Sequence, residues 1–317
     1  MNNPNLPIGR TFLEPLETYI LGKPQVLRFA LATILAQGHV LIEDVPGVGK
    51  TRLAKALALV TGCTFGRIQC TPDLTPSDVV GISLYNKDLQ AFEFLPGPIM
   101  NQVVLADELN RTSPRTQSSF LEAMGEAQVS VDGKTHRLPT PFLVIATQNP
   151  LEFQGTYPLP EAQRDRFMVS LSLGYPDSAE ELEILEVNRN IQLNTQPETQ
   201  FSNNQALLLE YQQQIRKIHT APSLKHYMIE LVGRTRTHDD LTLGLSPRAS
   251  QDMYWFSKAL AWIDGEEYVK PDHIQEAIFS VWSHRLVVSP QAKMRSISPH
   301  QILEHILKQV PVPIEKY

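Results

Sequence analysis

A glycine-rich stretch constrains this chain more than any other feature, and it runs Asp44-Val45-Pro46-Gly47-Val48-Gly49-Lys50-Thr51. An apolar run over residues 40–42 precedes it, and a helical pattern over 52–60 follows it. Strand, glycine-rich turn and helix in this order are the setting of a phosphate-binding loop. Small residues let several backbone N–H groups face phosphate oxygens, and the helix that follows presents its positive end to the same anion. The stretch therefore predicts a nucleotide site.

Individual residues of this stretch have separate expected roles. Lys50 is predicted to reach the β- and γ-phosphates, and the Thr51 hydroxyl is predicted to bind Mg2+. Asp44 stands where the strict pattern has glycine, so its carboxylate must point away from the nucleotide or repel it. The alternative interpretation is an ordinary turn before a core helix. The residues expected to hold a nucleotide are Asp44, Pro46, Gly47, Val48, Gly49, Lys50 and Thr51, together with Asp107.

Length and charge narrow the classes of protein. A chain of 317 residues exceeds what one hydrophobic core usually serves, so a large and a smaller domain are expected. The net charge of −6 argues against a nucleic-acid surface, which needs clustered lysine and arginine. The two cysteines and nine histidines show no metal-ligand spacing, so the only metal expected is nucleotide-bound Mg2+. The sequence has no secretory signal and no apolar run near the ~20 residues of a membrane span, so the cytoplasm is expected.

The order of apolar patterns divides the chain near residue 175. Before that point strand-like runs alternate with helices, and the predicted strands cover 40–42, 64–69, 103–106, 142–149 and 167–173. After it only helical patterns follow, over 178–190, 203–217, 223–237, 247–263, 271–284 and 299–308. This order predicts a parallel α/β domain over residues 1–175 and a helical domain over 176–317. Residues 1–10 are expected to be a disordered arm.

Two hairpins are predicted inside the first domain. Residues 91–99 alternate apolar and polar side chains and then turn at a Pro-Gly-Pro sequence, which indicates a small hairpin. Residues 129–135 contain an Asp-Gly pair between two short strand-like segments, which is typical of a tight hairpin turn.

Polar residues follow the apolar strands at the points where the strands end. Ligands of parallel sheets bind beyond the carboxyl ends of the strands, so Lys50, Asp107, Glu108 and Asn149 are expected to lie together. Asp107 would hold Mg2+, and Glu108 would orient or deprotonate the attacking water. Asn149 is expected to orient the same water. The alternative is that the two acids merely face solvent and that Asn149 is a turn residue.

Two arginines are candidates for stabilising the charge that builds on the transferred phosphoryl group. Arg166 comes just before a predicted strand, and Arg248 begins a helix of the second domain. Spacing alone favours a surface ion pair for each of them.

The sequence resembles the MoxR family of AAA+ ATPases over about residues 20–290. The segments that carry the resemblance are Gly38 to Thr51; Arg67-Ile68-Gln69 with Thr71-Pro72-Asp73-Leu74; Leu105-Ala106-Asp107-Glu108-Leu109-Asn110-Arg111 with Thr116-Gln117 and Leu121-Glu122-Ala123-Met124; Ala146-Thr147-Gln148-Asn149-Pro150; Gly155 to Gln163 with Asp165-Arg166-Phe167; and Ser246-Pro247-Arg248-Ala249. These motifs are long and stand in the family's order, so the resemblance is specific.

The resemblance implies a phosphate-loop AAA+ core with an all-helical C-terminal lid. It implies that Lys50 and Thr51 belong to the Walker A motif, Asp107 and Glu108 to Walker B, Asn149 to sensor 1 and Arg248 to sensor 2. Arg166 matches the arginine finger, which acts on the neighbouring subunit's nucleotide in a ring, usually a hexamer. Arg164 stands where an apolar residue is commoner, so Arg164 and Arg166 both remain candidates for the finger. The hairpin at 90–99 matches the helix-2 insert, which faces the pore in related proteins.

The function that the resemblance implies is hydrolysis of ATP with Mg2+, coupled to chaperone-like remodelling, maturation or cofactor insertion in a client complex. The expected partners are copies of the chain itself, a protein with a von Willebrand factor A domain and an unidentified client, with no nucleic acid. The first alternative is an ATPase subunit of a metal-chelatase-like machine, and the second is a DNA-acting motor, which the net charge of −6 disfavours. A non-hydrolysing nucleotide switch and a small-molecule kinase fit less well.

Overall fold

The computed structural model describes residues 9–150, 155–176, 178–179, 181–182 and 201–313. The strands are β1 (Val40–Glu43), β2 (Phe65–Gln69), β3 (Gly81–Asn86), β4 (Ala91–Pro96), β5 (Val103–Asp107), β6 (Gln128–Val131), β7 (Lys134–Arg137), β8 (Leu143–Gln148), β9 (Val169–Leu171), β10 (Leu241–Leu243) and β11 (Val287–Val288). Five of them form one parallel sheet in the order β2-β5-β8-β1-β9. The parallel sheet confirms the predicted fold class.

Helices cover the sheet and make up most of the C-terminal part. They are α1 (Glu14–Tyr19), α2 (Pro24–Leu35), α3 (Lys50–Val60), α4 (Pro76–Val80), α5 (Pro114–Glu126), α6 (Glu161–Arg164), α7 (Asn204–Ile215), α8 (Pro222–Arg236), α9 (Pro247–Ile263), α10 (Pro271–Trp282), α11 (Pro290–Met294) and α12 (Pro299–Gln309). No helix in the described ranges has the length and apolar character needed to cross a membrane.

The sheet is buried on both faces because its strands are apolar at nearly every position. Alternate residues of β5 point to opposite faces: Val103 and Leu105 enter the larger of two apolar clusters, whereas Val104 and Ala106 enter the smaller one. This alternation is the two-residue period of a strand. The larger cluster includes helices α2 and α9, and the smaller includes α5.

The sheet region and the C-terminal helices share the larger apolar cluster. Helix α2 lies against α9, and Arg28 on α2 donates hydrogen bonds to Asp264 at 2.6 and 3.2 Å and to Glu276 at 2.5 Å. Both acids lie in the C-terminal part. Because the apolar contact and the ion pairs act together, the two parts are held in one arrangement.

The predicted hairpin at 91–99 was wrong in its pairing. Residues 91–96 form the single strand β4, which pairs antiparallel with β3 from Gly81↔Pro96 to Asn86↔Ala91. The β3 side chains are mostly exposed or half-buried, so this strand has no buried apolar face that a sequence pattern would mark. The second predicted hairpin is confirmed as β6 and β7, with Asp132 and Gly133 at the turn.

The remaining predicted elements mostly coincide with the observed ones, with two differences. The C-terminal part contains the two-stranded antiparallel ribbon β10–β11 in addition to helices. The short helices α4 and α11 were also not predicted. The arm predicted over 1–10 and the helix predicted over 178–190 lie largely outside the described residues. The domain boundary near residue 175 stays a prediction.

Candidate functional site

The loop between β1 and α3 has the backbone curl expected of a phosphate-binding loop. Gly47 and Gly49 adopt φ angles of +90° and +96°, in the left-handed region that glycine enters without strain. Gly49 is also the residue that caps the N-terminus of α3. These two glycines therefore let the chain turn directly into the first turn of α3, which begins at Lys50.

Asp44 turns its carboxylate away from the loop interior. The side chain is buried, and its two oxygens accept hydrogen bonds from the Ser172 hydroxyl at 2.8 Å and from the backbone N–H groups of Leu173 at 2.6 Å and Gly174 at 3.3 Å. The sequence required the carboxylate to avoid the nucleotide, and these three donors account for its direction. Asp44 contributes to the loop itself through its backbone carbonyl, which accepts a hydrogen bond of 2.9 Å from Lys50 Nζ.

Lys50 is the charged centre of the loop and is only 9% exposed. Its ammonium group has three donors, and one of them is bonded to the Asp44 carbonyl. Burying a lysine is costly unless its charge meets acceptors. The loop is therefore built to present this cation to an anion.

One hydroxyl connects Asp107, the last residue of β5, with Glu108, which follows it. Thr147 on the neighbouring strand β8 is fully buried, and its Oγ1 donates a hydrogen bond of 2.8 Å to Asp107 Oδ1. The same Oγ1 accepts a hydrogen bond of 2.8 Å from the backbone N–H of Glu108. This double contact fixes the position of the Asp107 carboxylate relative to the Glu108 backbone.

Glu108 adopts a left-handed backbone conformation, with φ 59° and ψ 49°. Such a conformation is uncommon for a residue with a side chain and is held by its surroundings. The carboxylate accepts a hydrogen bond of 3.2 Å from Gln69 Nε2 and lies 3.3 Å from Arg111 Nε. Glu108 is thus aimed along the carboxyl edge of the sheet, with two side chains restraining its oxygens.

Basic and apolar groups flank the acids. Arg67 on β2 donates to Asp107 Oδ2 at 2.8 Å and to the Gln69 side chain at 2.7 Å. Cys70 lies behind them, and burial together with the charges of Asp107 and Glu108 raises its pKa to about 12. The thiol therefore stays protonated at neutral pH.

A cavity of ≈ 210 Å³ opens beside the phosphate loop. Its lining includes Gly47, Val48 and Gly49 of the loop, Arg52 of α3, and the largely apolar segments Tyr19, Ile20, Leu21, Leu173, Gly174 and Pro176. The Arg52 Nε atom is buried and makes no hydrogen bond within the described residues. An apolar cleft with few polar groups suits a flat organic base.

The other predicted site residues lie on several different elements. Asn149 directly follows β8 and is half-buried at the same sheet edge. Arg248 lies in the first turn of α9 and makes no ion pair with any residue that the structure describes. Arg166 Nη1 donates to the Leu121 carbonyl of α5. Arg164 lies 3.9 Å from Glu161, and its Nε is buried without a described partner.

Comparisons with known proteins agree with this geometry. Residues 39–169 match the ATPase family associated with various cellular activities (AAA), and residues 233–306 match the AAA lid domain. The chain is 39% identical over 303 residues to Chaperone MoxR1 of Mycobacterium tuberculosis, covering 93% of this chain and 79% of that protein. This chain belongs to the MoxR family of AAA+ ATPases. The predicted family and ATP-hydrolysing activity are thereby confirmed.

Two further matches extend along almost the whole MoxR-family chain. The YeaC protein of Bacillus subtilis is 45% identical over 310 residues, which is 98% of this chain and 96% of that protein. The solved structure of a protein from Cytophaga hutchinsonii superimposes with a TM-score of 0.86 at 35% identity, covering 96% of this chain and 94% of that one. The core and the lid therefore occur together in these relatives.

Sequence patterns did not assign a role to several residues that shape the site. Thr147, Arg67 and Gln69 stand within matching motifs without a predicted function, and Arg52 was predicted only as part of a helix. The segments 19–21 and 173–176, which line the cavity, have no motif of their own. A polar residue inside an otherwise apolar strand, as at Thr147, is the one signal that points to such a contact.

Proposed function

We propose that this MoxR-family ATPase uses ATP hydrolysis to remodel a partner protein and so helps the maturation of a client complex, including the insertion of a cofactor. The observation that carries the hydrolytic part is the Thr147 hydroxyl bridge between Asp107 and Glu108. This bridge fixes the Glu108 backbone relative to the Asp107 carboxylate, and a protein that only binds nucleotide has no need of a second acid at this position. The cytoplasm is the proposed location.

The residues present fit ATP with Mg2+. Arg52 lines a cleft of suitable shape, and Thr51 and Asp107 offer the hydroxyl and carboxylate oxygens that Mg2+ prefers. When bound, Mg2+ neutralises charge on the phosphate oxygens. Lys50 binds the same oxygens as a cation, and Glu108 accepts a proton from the attacking water or orients that water. Asn149 holds the water from the next strand.

We propose that Arg166 completes the site of a neighbouring subunit in a ring, most simply a hexamer. Within one chain the Arg166 guanidinium donates to the Leu121 carbonyl, so it lies against helix α5 of the same subunit. The support for a role in the neighbouring site is the match of Arg166 to the arginine finger of the family. Arg248 is proposed to contact the nucleotide of its own chain from the lid helix α9. Arg164 remains the alternative finger.

The β3–β4 hairpin is the proposed contact with a client. The large exposed apolar side chains of its two strands lie on both faces, and they are Ile82, Leu84, Tyr85, Phe92 and Leu95. The rings of Tyr85 and Phe92 pack edge to face at 5.4 Å, so they present a preformed aromatic surface. Contiguous exposed apolar patches mark interaction sites. A partner with a von Willebrand factor A domain is also proposed, and the resemblance to the MoxR family is its support.

The first test measures ATP turnover against protein concentration, with the mass of the assembly measured in parallel. Specific activity is expected to rise as a larger assembly forms, and Glu108→Gln is expected to abolish turnover while ATP binding survives. Turnover by a monomer that does not depend on concentration would remove the trans role of Arg166. Binding of ATP without any turnover would contradict the hydrolytic role of Glu108.

A second test addresses the hairpin. The double variant Leu84→Ser and Phe92→Ser should keep its ATP turnover but lose the ability to suppress aggregation of a chemically denatured reporter enzyme. The matched control is Ile229→Ser, which removes an exposed apolar side chain from α8 of the lid. Equal loss in the control would show that general surface hydrophobicity, not the hairpin, binds the client.

A further inference from the structure

The C-terminal part holds both residues that flank Arg166. Asp165 precedes it, and the Asp165 carboxylate accepts hydrogen bonds of 3.0 and 2.9 Å from the Ser246 hydroxyl. Phe167 follows it, and the Phe167 carbonyl accepts a hydrogen bond of 2.6 Å from Arg285 Nη2. The segment on which the proposed finger sits is therefore fixed from two sides by groups outside the sheet region.

Arg285 is the centre of this contact. Its side chain is 2% exposed, and the same Nη2 that reaches Phe167 also donates to Asp252 on α9. Its Nε lies 3.7 Å from Asp165 Oδ1. The neighbouring His284 donates a second hydrogen bond to the Phe167 carbonyl, of 2.9 Å. A buried arginine with several fixed acceptors keeps its geometry, unlike a surface ion pair that water and salt weaken.

The same contacts lead to the helix that carries Arg248. Ser246 caps the N-terminus of α9, where its Oγ accepts the Ala249 N–H at 3.2 Å. Asp252 lies on the next turn of that helix, four residues after Arg248. Ser246 and Asp252 therefore stand on either side of Arg248 in sequence, and each is connected to the Asp165–Phe167 segment. A displacement of α9 cannot leave that segment unchanged unless these bonds break.

We propose that Arg285 is a positioning residue that, with Ser246, couples the lid helix α9 to Arg166 in the same chain. Arg248 contacts the nucleotide of its own chain. The position of Arg166, which acts on the neighbouring site, therefore depends on which nucleotide its own chain holds. This inference rests on the proposed function, because it requires Arg166 to act in trans. Arg285 belongs to none of the sequence motifs that predicted the site.

The test uses mixtures of two full-length subunits that are each inactive for a different reason. The donor subunit carries Glu108→Gln, so it cannot hydrolyse ATP but offers an intact Arg166. The acceptor subunit carries Arg166→Ala, so it has an intact hydrolytic site but offers no finger. Turnover in the mixture above the sum of the two alone reports a donor arginine acting in an acceptor site.

Arg285→Met is then placed in one subunit at a time. In the donor it should lower the turnover of the mixture roughly 10- to 100-fold, since a misplacement of about 1 Å has effects of that size. In the acceptor it should leave the turnover within about two-fold of the parent mixture, because that subunit's finger is already absent and its helix α9, which carries Arg248, stays packed in the larger apolar cluster. A role in stability alone would lower turnover equally from both positions, and that result would overturn the proposal.

Two further variants keep the result interpretable. The buried Asp252 loses its partner in Arg285→Met, so the double variant Arg285→Met with Asp252→Leu replaces both charges by apolar groups, which folded proteins usually tolerate. The matched control is Arg234→Met in the donor, an exposed arginine of α8 that pairs with Glu230; it should leave the turnover unchanged.

No loss from either Arg285 variant in the donor would overturn the inference but leave the proposed ring intact. No turnover in the parent mixture would overturn the trans role of Arg166 and this inference with it.

Discussion

The carboxylate of Asp44 accepts a hydrogen bond of 2.6 Å from the backbone N–H of Leu173, 129 positions later in the chain. Asp44 belongs to the phosphate loop, whereas Leu173 and Gly174 line the cavity beside that loop. An acidic residue that departs from the strict loop pattern therefore joins the loop to the segment that leaves β9. The departure has a structural role, and it leaves the loop interior free of negative charge.

Asp44→Gly would complete the strict phosphate-loop pattern, yet we expect it to weaken the protein. It leaves the N–H groups of Leu173 and Gly174 without their acceptor, which should lower the free energy of unfolding by roughly 1–3 kcal/mol. Denaturant unfolding measures this loss. Asp44→Asn retains one carbonyl oxygen as an acceptor and should lose less. If Asp44→Gly is as stable as the wild type, the hydrogen bonds to Leu173 and Gly174 do not stabilise the fold.

The Thr147 hydroxyl yields a second prediction. Thr147→Val keeps the shape of the side chain but removes the bridge between Asp107 and the Glu108 N–H. The Asp107 carboxylate and the Glu108 backbone are then no longer held relative to each other. We therefore expect kcat to fall roughly 10- to 100-fold with little change in KM for ATP. Thr147→Ser restores the hydroxyl and should recover most of the turnover. Steady-state kinetics of both variants decide the matter, and an unchanged kcat in Thr147→Val would show that the bridge is not needed for hydrolysis.

The sequence was sufficient to place Lys50, Asp107 and Asn149 at one edge of the sheet. That prediction succeeds because the carboxyl ends of parallel strands meet at the same edge. It does not extend to Thr147, because a hydroxyl inside an apolar strand has no visible partner until the neighbouring strand, 40 positions earlier, is known. The contact between Arg285 and Phe167 spans 118 positions and has no local pattern at all.

The β3–β4 hairpin could be predicted only in part from the sequence pattern. Strand β4 was predicted from its alternating segment, but its partner was not, because Ile82, Leu84 and Tyr85 are exposed on the isolated chain. Alternation predicts a strand only where one face is buried and the other is not. We propose that the apolar residues on both faces of this hairpin contact another molecule, so the fold of this chain alone does not determine their pattern.

A third prediction concerns the pH dependence of stability. His39 is buried, with Nδ1 accepting the Val144 N–H at 3.0 Å and Nε2 donating to the Met124 carbonyl at 3.2 Å. Burial lowers the pKa of His39 to about 4, and burial together with Arg285 lowers the pKa of His284 to about 3. Both imidazoles are thus neutral in the folded protein, whereas in the unfolded chain a histidine takes up its proton near pH 6.5.

The unfolded state therefore binds more protons than the folded state below about pH 6.5. The free energy of unfolding should fall as the pH drops from 6.5 towards 4, with a slope of about 1.4 kcal/mol per pH unit for each of the two histidines. Denaturant unfolding at pH 7, 6 and 5 measures this slope. His39→Gln keeps a donor and an acceptor but cannot titrate, so its slope should be shallower by one histidine's share. An unchanged slope in His39→Gln would contradict the assignment.

The last prediction concerns Arg52, whose buried Nε has no acceptor within the described residues. Arg52 lines the cavity beside the phosphate loop, and we expect its guanidinium to turn towards a nucleotide bound there and donate to it. A hydrogen bond from a charged donor contributes about 1.5–3 kcal/mol, so Arg52→Met should weaken ATP and ADP binding by roughly 10-fold or more. Because Arg52 is separate from Glu108 and Asp107, kcat at saturating ATP should change little. Calorimetric titration with ADP measures the loss, and Lys55→Met, one turn further along α3 and away from this cavity, is the matched control. A large fall in kcat with unchanged affinity would instead make Arg52 part of the hydrolytic machinery.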